Sequence, residues 1–163
     1  MTTVVSDTTP INYLVLVGAI DVLPRLFQQV LIPPAVWRKL QHQKTPKPVF
    51  DWAASLPEWA TIEQPLRLDA SIGLGAGENE AISLAMERHI FPVLMDDRQA
   101  WRAAEARSLV PIGTINVLES ADQRGLLDFE DAVAKLRETT FRIDQTILDI
   151  ALDRVRRRKQ ASS

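Results

Sequence analysis

Residues 4–10 read VVSDTTP, and this short stretch largely decides how the chain folds. Val4 and Val5 are consecutive β-branched residues, which favour a buried strand. Asp7 is a residue type that caps helices, and Pro10 suits the first turn of a helix. The stretch therefore predicts a buried strand that leads through Asp7 directly into a helix.

The same alternation of apolar runs and helical patterns continues along the chain. Further strands are predicted at residues 30–32, 92–95 and 110–112, with an edge strand at 59–62. Helices are predicted at residues 14–20, 21–27, 35–40, 50–56, 78–88, 98–108, 114–124, 129–139 and 144–158, and a loop at 41–49. Such alternation predicts a parallel α/β sheet with helices on both faces. Ligands of these sheets bind beyond the carboxyl ends of the strands.

The composition limits the chemistry that the chain can perform. A length of 163 residues fits one domain, and 46% hydrophobic with 25% charged residues is ordinary for a globular protein. The absence of cysteine excludes disulfides, zinc–thiolate sites and cysteine nucleophiles. His42 and His89 are the two histidines of the chain, so there are few candidate residues for a histidine-rich metal site or a Ser-His-Asp triad.

We expect a cytoplasmic protein without a membrane segment. No basic N-terminal region leads into an apolar stretch, so no signal peptide is predicted. The longest apolar run, residues 13–20, is far shorter than the roughly 20 residues that span a bilayer.

Charge is distributed unevenly along the chain. Residues 151–163 contain five of the 19 basic and one of the 21 acidic residues, a net charge of +4, which leaves 14 basic and 20 acidic residues, or −6, in residues 1–150. We therefore divide the chain into a main domain, 1–150, and a basic helix end and tail, 151–163. An acidic body is unlike a general nucleic-acid coat, so any contact with RNA would have to be local or assisted by metal ions.

Four acidic residues fall at one predicted edge of the sheet. Asp7 follows the first strand, and Asp96 and Asp97 follow the strand at 92–95. Glu78 lies in the first turn of a helix, directly after the glycine-rich loop 73–77. Crowded carboxylates repel one another unless a cation compensates them, and oxygen ligands suit Mg²⁺ or Mn²⁺. Two such ions can activate water and stabilise the leaving oxygen of a phosphodiester.

Each acid also has a purely structural explanation. Asp7, Asp96 and Asp97 each precede a helix that they can cap, and Glu78 is favoured by the dipole of its own helix. Taken singly, the capping explanation is the stronger one. Their joint placement at one sheet edge favours a metal site.

The residues reached so far resemble a known family. Residues 4–11, 74–82, 93–97 and 110–114 are similar to motifs of PIN-domain nucleases, especially of a prokaryotic branch that begins with Ser-Asp-Thr-Thr-Pro. The likeness runs from about residue 3 to about residue 150. It implies a three-layer α/β/α fold around a central, mainly parallel sheet of about four to five strands.

The resemblance also implies a divalent-metal-dependent endoribonuclease related to VapC-type toxins of toxin–antitoxin modules. It implies Mg²⁺ or Mn²⁺ as cofactor, RNA as substrate, an antitoxin protein as partner, and a homodimer. By this resemblance Asp7, Glu78 and Asp97 are the catalytic carboxylates, and Asp96 is a further ligand or supports one. Thr8 and Thr114 would be polar helpers.

One position departs from the family pattern. Many PIN nucleases carry a glutamate in the helix after the second strand, where this chain has Lys39. A cation there can weaken metal binding or occupy the site itself. Three hypotheses therefore stay open: a slow nuclease, a nuclease that relies on Glu78, and a degraded homologue that only binds RNA or protein.

Other functions fit less well. A haloacid-dehalogenase-like phosphatase needs Asp-x-Asp after the first strand, and Thr9 stands where the second acid would be. A receiver domain needs its acidic pair after the first strand, but here the pair follows a later one.

The four tryptophans are expected in the core more often than as base-stacking platforms. The basic cluster 154–159 is expected to be a solvated helix end rather than an RNA contact, whereas Arg98 and Arg102 are better placed to meet a phosphate.

Overall fold

The computed structural model describes residues 2–162. The strands within this range are β1 (Thr3–Ser6), β2 (Gln29–Ile32), β3 (Ala60–Ile62), β4 (Pro92–Leu94) and β5 (Val110–Ile112). The helices are α1 (Thr8–Leu16), α2 (Leu23–Leu26), α3 (Pro34–Leu40), α4 (Lys47–Ala54), α5 (Ala76–Glu87), α6 (Arg98–Ala106), α7 (Thr114–Gln123), α8 (Phe129–Arg137) and α9 (Gln145–Ala161), with a 3₁₀ turn at Ile20–Val22.

The strands form one parallel sheet in the order β3-β2-β1-β4-β5. The chain builds outward from β1 through β2 to β3, and then crosses to the other side of β1 for β4 and β5. The winding direction therefore reverses between β1 and β4. In open parallel sheets such a reversal opens a crevice at the carboxyl ends of the two strands, which is where ligands bind.

Helices cover both faces of the sheet. Val4 points to a core shared with α1, α2, α3, α4, α7, α8 and α9, whereas Val5 points to a smaller core formed with α5 and α6. Neighbouring strand residues face opposite sides, so a sheet buried on both sides needs consecutive apolar residues. The expected three-layer α/β/α fold with five parallel strands is confirmed.

The structure corrects two predicted boundaries. Helix α1 spans Thr8–Leu16 rather than residues 14–20, because Asp7 accepts a hydrogen bond from the Thr8 amide and starts the helix there, as its capping chemistry predicted. Helix α4 begins at Lys47, inside the predicted loop, because Pro48 is accommodated in its first turn, where no amide donor is needed.

Helix α9 is continuous across residue 150, so residues 151–161 of the basic segment form the C-terminal part of this helix. Among residues 2–162, no helix combines the length and the apolar character required to cross a membrane.

Candidate active site

Asp7 stands at the carboxyl end of β1, in the crevice between β1 and β4. Its amide donates a hydrogen bond of 2.8 Å to the carbonyl of Leu94, which ties the residue to the neighbouring strand. The Asp7 side chain is only 3% exposed. Its Oδ1 accepts a 2.8 Å hydrogen bond from the Thr8 amide, and within residues 2–162 its Oδ2 accepts none. One carboxylate oxygen is therefore held and the other is left for a ligand.

The charge of Asp7 is poorly compensated by its surroundings. Burial raises the pKa of Asp7 from 3.8 to about 6, and the carboxylates of Glu78 and Asp96 add to the rise. The Thr8 amide and the Lys39 ammonium act in the opposite direction, but they do not offset the cost of burial. Asp7 is thus an anion in a site that favours an additional cation.

Asp96 follows β4 and is held by the start of α7. Its Oδ1 accepts from the Thr114 amide at 2.8 Å, and its Oδ2 accepts from the Thr114 hydroxyl at 2.7 Å. Burial raises the pKa of Asp96, and the two hydrogen bonds from Thr114 partly oppose that rise. Gly113, the residue before Thr114, leaves room for this approach, because a Cβ there would lie 3.1 Å from Asp96 Oδ1.

Glu78 is the third residue of α5, and its carboxylate turns back toward the start of that helix. A Cβ on Gly75 would lie only 2.7 Å from Glu78 Oε2, so the glycine at this position makes space for the carboxylate. A negative charge in the first turn is also favoured by the helix dipole. The glycine-rich loop therefore lets Glu78 fold back toward the sheet edge where Asp7 lies.

Lys39 brings a positive charge into the same group. It lies near the end of α3, and its Nζ is 3.9 Å from Glu78 Oε2. Helices α3 and α5 pack side by side, and a second link joins them: Glu80 Oε1 accepts a 3.0 Å hydrogen bond from the Ala35 amide at the start of α3. Sequence reasoning did not assign this capping role to Glu80, because it depends on how the two helices are placed.

Asp97 makes different contacts from Asp96. It is exposed, and its Oδ2 accepts a 3.0 Å hydrogen bond from the Ala100 amide, so it caps α6. Asp96 and Asp97 together form one wall of a cleft of about 600 Å³. The capping role expected for these aspartates is thus present for Asp97, whereas Asp96 interacts electrostatically with Asp7.

The cleft contains Trp101, which the sequence marked as a possible base-stacking residue, and further residues that the sequence did not single out. Trp101, Asn116 and Phe141 line it, together with the exposed Arg142. Within residues 2–162, Arg142 makes no ion pair with a carboxylate, whereas Arg98 pairs with Asp144 at 3.1 Å. Residues 141–144 belong to a connector without periodicity, so their approach to α6 depends on the tertiary fold.

The donor set suits a hard divalent cation. Asp7, Glu78 and Asp96 supply only oxygen, and the Asp7 carboxylate interacts electrostatically with the other two. The hydroxyl oxygen of Thr8 is buried beside Asp7, and it has no hydrogen-bond partner in the part of the chain described. Across residues 2–162, however, no three carboxylate or histidine side chains lie as close together as the ligands of one ion. Ion binding therefore requires side-chain movement, which the flexible Glu78 side chain permits.

The expected structural roles of the tryptophans and of the basic cluster agree with the fold. Trp37, Trp52 and Trp59 pack against the larger core, and Trp101 against the smaller one. The cationic groups of residues 154–159 are paired with carboxylates, as in the 2.7 Å contact between Arg154 and Glu119.

Comparison with known proteins gives one match. No curated protein matches the chain, and no solved structure does. A family model described as a PIN domain matches residues 3–157, nearly the whole chain. Its extent agrees with the five-stranded parallel sheet and with the acidic crevice at the end of β1. The chain therefore belongs to the PIN-domain family, whose fold is of the nuclease type.

Proposed function

We propose that the protein is a divalent-metal-dependent endoribonuclease that hydrolyses RNA phosphodiesters. The observation that carries the proposal is the buried, undercompensated carboxylate of Asp7, which interacts with Glu78 and Asp96 at the reversal point of a PIN-domain sheet. A bound Mg²⁺ or Mn²⁺ would activate a water molecule and neutralise charge on the phosphodiester.

The side chains have distinct roles in this proposal. Asp7 would hold the cation through its free Oδ2, and Asp96 would be kept in place by Thr114. Glu78 would supply a third carboxylate, on the flexible side chain that reaches back along α5. Asp97 is proposed as the fourth carboxylate, and it faces the cleft where RNA would lie.

The cleft gives the proposed substrate a place to bind. It shares Asp96 with the acidic crevice and is also lined by the aromatic rings of Trp101 and Phe141 and by the exposed Arg142. Aromatic rings stack on the unpaired bases of single-stranded RNA, and arginine contacts phosphate. We therefore propose single-stranded RNA as the substrate.

Cleavage of a labelled single-stranded RNA tests the proposal directly. We expect cleavage with Mg²⁺ or Mn²⁺, none with a chelator, and products without a 2′,3′-cyclic phosphate, because water rather than the neighbouring 2′-hydroxyl attacks. Asp7→Asn and Glu78→Gln should each lose activity, whereas Asp51→Asn should retain it. Asp51 is exposed, and its one ion pair among residues 2–162 is with Lys47 on its own helix. Intact RNA under every metal condition would contradict the proposal.

The position of Lys39 favours a second candidate function. Its ammonium group already lies beside Glu78, and a permanent cation there is compatible with a PIN-like module that binds RNA or protein without cleaving it. Binding of RNA without cleavage, unaffected by Asp7→Asn and by chelators, would select this candidate.

The resemblance to VapC-type proteins leads us to propose a toxin role, with an antitoxin protein as partner, a homodimer as the assembly and the cytoplasm as the location. Induced expression should arrest growth, and co-expression of a short neighbouring reading frame should relieve the arrest. Light scattering coupled to size-exclusion chromatography would measure the oligomeric state. Growth that is unaffected by an RNA-cleaving wild-type chain would contradict the toxin role alone.

A further inference from the structure

Lys39 is the one basic side chain that reaches the acidic group formed by Asp7, Glu78 and Asp96 in the described chain. Its Nζ lies 3.9 Å from Glu78 Oε2. Its charge also acts on Asp7, whose pKa it lowers. The side chain is about half exposed, at 48%, so the ammonium group lies at the mouth of the site rather than inside the core.

Gly77 shows how closely Lys39 and Asp7 share this space. A Cβ built on Gly77 would lie 3.1 Å from Lys39 Nζ and 3.5 Å from Asp7 Oδ1. The ammonium group and the carboxylate therefore approach the same point on the backbone of α5. Because Gly77 has no side chain, Lys39 can extend over the helix toward the acids.

The balance of charge limits how many metal ions this arrangement can hold. The three carboxylates of this group and the ammonium group leave a net charge of −2, which a single divalent ion neutralises. Asp97 is not counted, because it is exposed on the wall of the cleft, where solvent screens its charge. A second divalent ion would make the group net positive, with the ammonium fixed beside it. The repulsion between a second metal ion, the first ion and the ammonium group would be strongly unfavourable in a partly buried site.

We propose that the ammonium group of Lys39 replaces one of two metal ions, so that Asp7, Glu78 and Asp96 hold a single divalent cation. This inference rests on the proposed metal-dependent function. Lys39 would supply a fixed positive charge next to the phosphodiester, and it would do so without requiring a second ion from solution. The site would therefore depend on one binding equilibrium.

Mn²⁺ binding to the full chain tests the inference without measuring activity. Free Mn²⁺ is followed by electron paramagnetic resonance, and isothermal calorimetry gives the stoichiometry. We expect one ion per chain for the wild type and two for Lys39→Glu, which replaces the ammonium group with a further carboxylate. Lys39→Gln should bind its first ion about tenfold more tightly than the wild type, because a repelling charge is gone.

Lys44→Gln is the matched control, because Lys44 is exposed and forms no ion pair with a carboxylate among residues 2–162. It should bind Mn²⁺ as the wild type does. Circular dichroism confirms folding of each variant. If Lys39→Glu fails to fold, the affinity of Lys39→Gln and the wild-type stoichiometry still decide the question.

The outcomes separate the inference from the proposed function. Two ions per wild-type chain, or equal affinities of wild type and Lys39→Gln, would overturn the role of Lys39 and leave the metal-dependent function standing. Absence of Mn²⁺ binding by every variant would overturn both.

Discussion

Thr114 donates two hydrogen bonds to the carboxylate of Asp96, one from its amide at 2.8 Å and one from its hydroxyl at 2.7 Å. The threonine is fully buried at the first position of α7, and the aspartate follows β4. Each oxygen of Asp96 is thereby fixed by the same residue. This pairing orients one of the proposed metal-binding carboxylates before any ligand arrives.

Removal of the Thr114 hydroxyl should therefore affect both stability and activity. We expect Thr114→Val to lower the free energy of unfolding by about 1.5–3 kcal/mol, the usual cost of losing a hydrogen bond to a charged group. It should also raise the pKa of Asp96 further and weaken RNA cleavage. Thr114→Ser keeps the hydroxyl and should stay close to the wild type. Chemical denaturation and cleavage rates measure the two effects, and equal behaviour of both variants would contradict this role.

The pKa of Asp7 predicts how stability changes with pH in a chelating buffer. Its pKa rises from 3.8 to about 6 on folding, so between these values the folded state holds a proton that the unfolded state has lost. The contribution of Asp7 to stability is therefore greatest below pH 4 and falls as the pH rises through 6. Over this range the loss is on the order of 2–3 kcal/mol.

Asp7→Asn should remove this pH dependence. The unfolding free energy of the variant, measured relative to the wild type by urea denaturation, should increase as the pH goes from 4 to 7, while Asp51→Asn should show no such trend. Added Mn²⁺ should stabilise the wild type more than Asp7→Asn at pH 7. A relative stability that does not change with pH would show that the carboxylate is not buried as described.

The capping role and the proposed catalytic role of Asp97 can be separated by choice of substitution. Asp97→Ala removes the cap of α6 and should cost about 1 kcal/mol of stability. Asp97→Asn and Asp97→Ser retain capping atoms, so their stability should stay near that of the wild type. If Asp97 is a catalytic carboxylate, both should still lower cleavage by more than about 100-fold. Full activity in Asp97→Asn would show that Asp97 caps α6 and has no catalytic role.

Gly77→Ala should disturb the site while preserving the fold. Alanine favours helix more than glycine does, so the thermal midpoint should not fall by much. The new methyl group would crowd Lys39 Nζ, which lies 3.1 Å from it, and would touch Asp7 Oδ1 at an ordinary contact distance of 3.5 Å. We therefore expect a lower affinity for Mn²⁺. In a Lys39→Ala background the same substitution should have a smaller effect, and additive effects would contradict the shared space.

The contacts of Asp122 should contribute to the stability of the packing between α7 and α9. Its side chain is 6% exposed and contacts Arg158 at 3.1 Å, and it also accepts a 2.7 Å hydrogen bond from the Phe129 amide. Asp122→Ala should cost about 1–3 kcal/mol, because a buried amide loses its partner. Asp153→Ala, which removes an exposed pair with Arg157 within α9, should change stability by less than about 0.5 kcal/mol. Equal losses would contradict this difference.

The fold was largely predictable because its decisive signals are local. The consecutive apolar residues of β1 and the capping side chain of Asp7 specify a strand followed by a helix, and repetition of that unit specifies a parallel sheet. The sequence also predicted that Asp7, Glu78, Asp96 and Asp97 would come to one edge, with Asp97 rather than Asp96 as the catalytic partner of Asp7 and Glu78. It did not reveal the cap on α3 provided by Glu80, or the approach of residues 141–144 to α6, because both depend on how helices distant in sequence pack.

The paired cations of α9 have a consequence for how the protein would meet RNA. Arg154, Arg156 and Arg158 each pair with an acid on α7 or α8, and Lys159 pairs with Asp128. Most of the positive charge of the C-terminal segment is thus paired with acidic side chains of the same molecule. It does not form an extended surface that could bind the phosphates of RNA. Few counterions would be released from RNA on association, so affinity for RNA should depend only weakly on ionic strength.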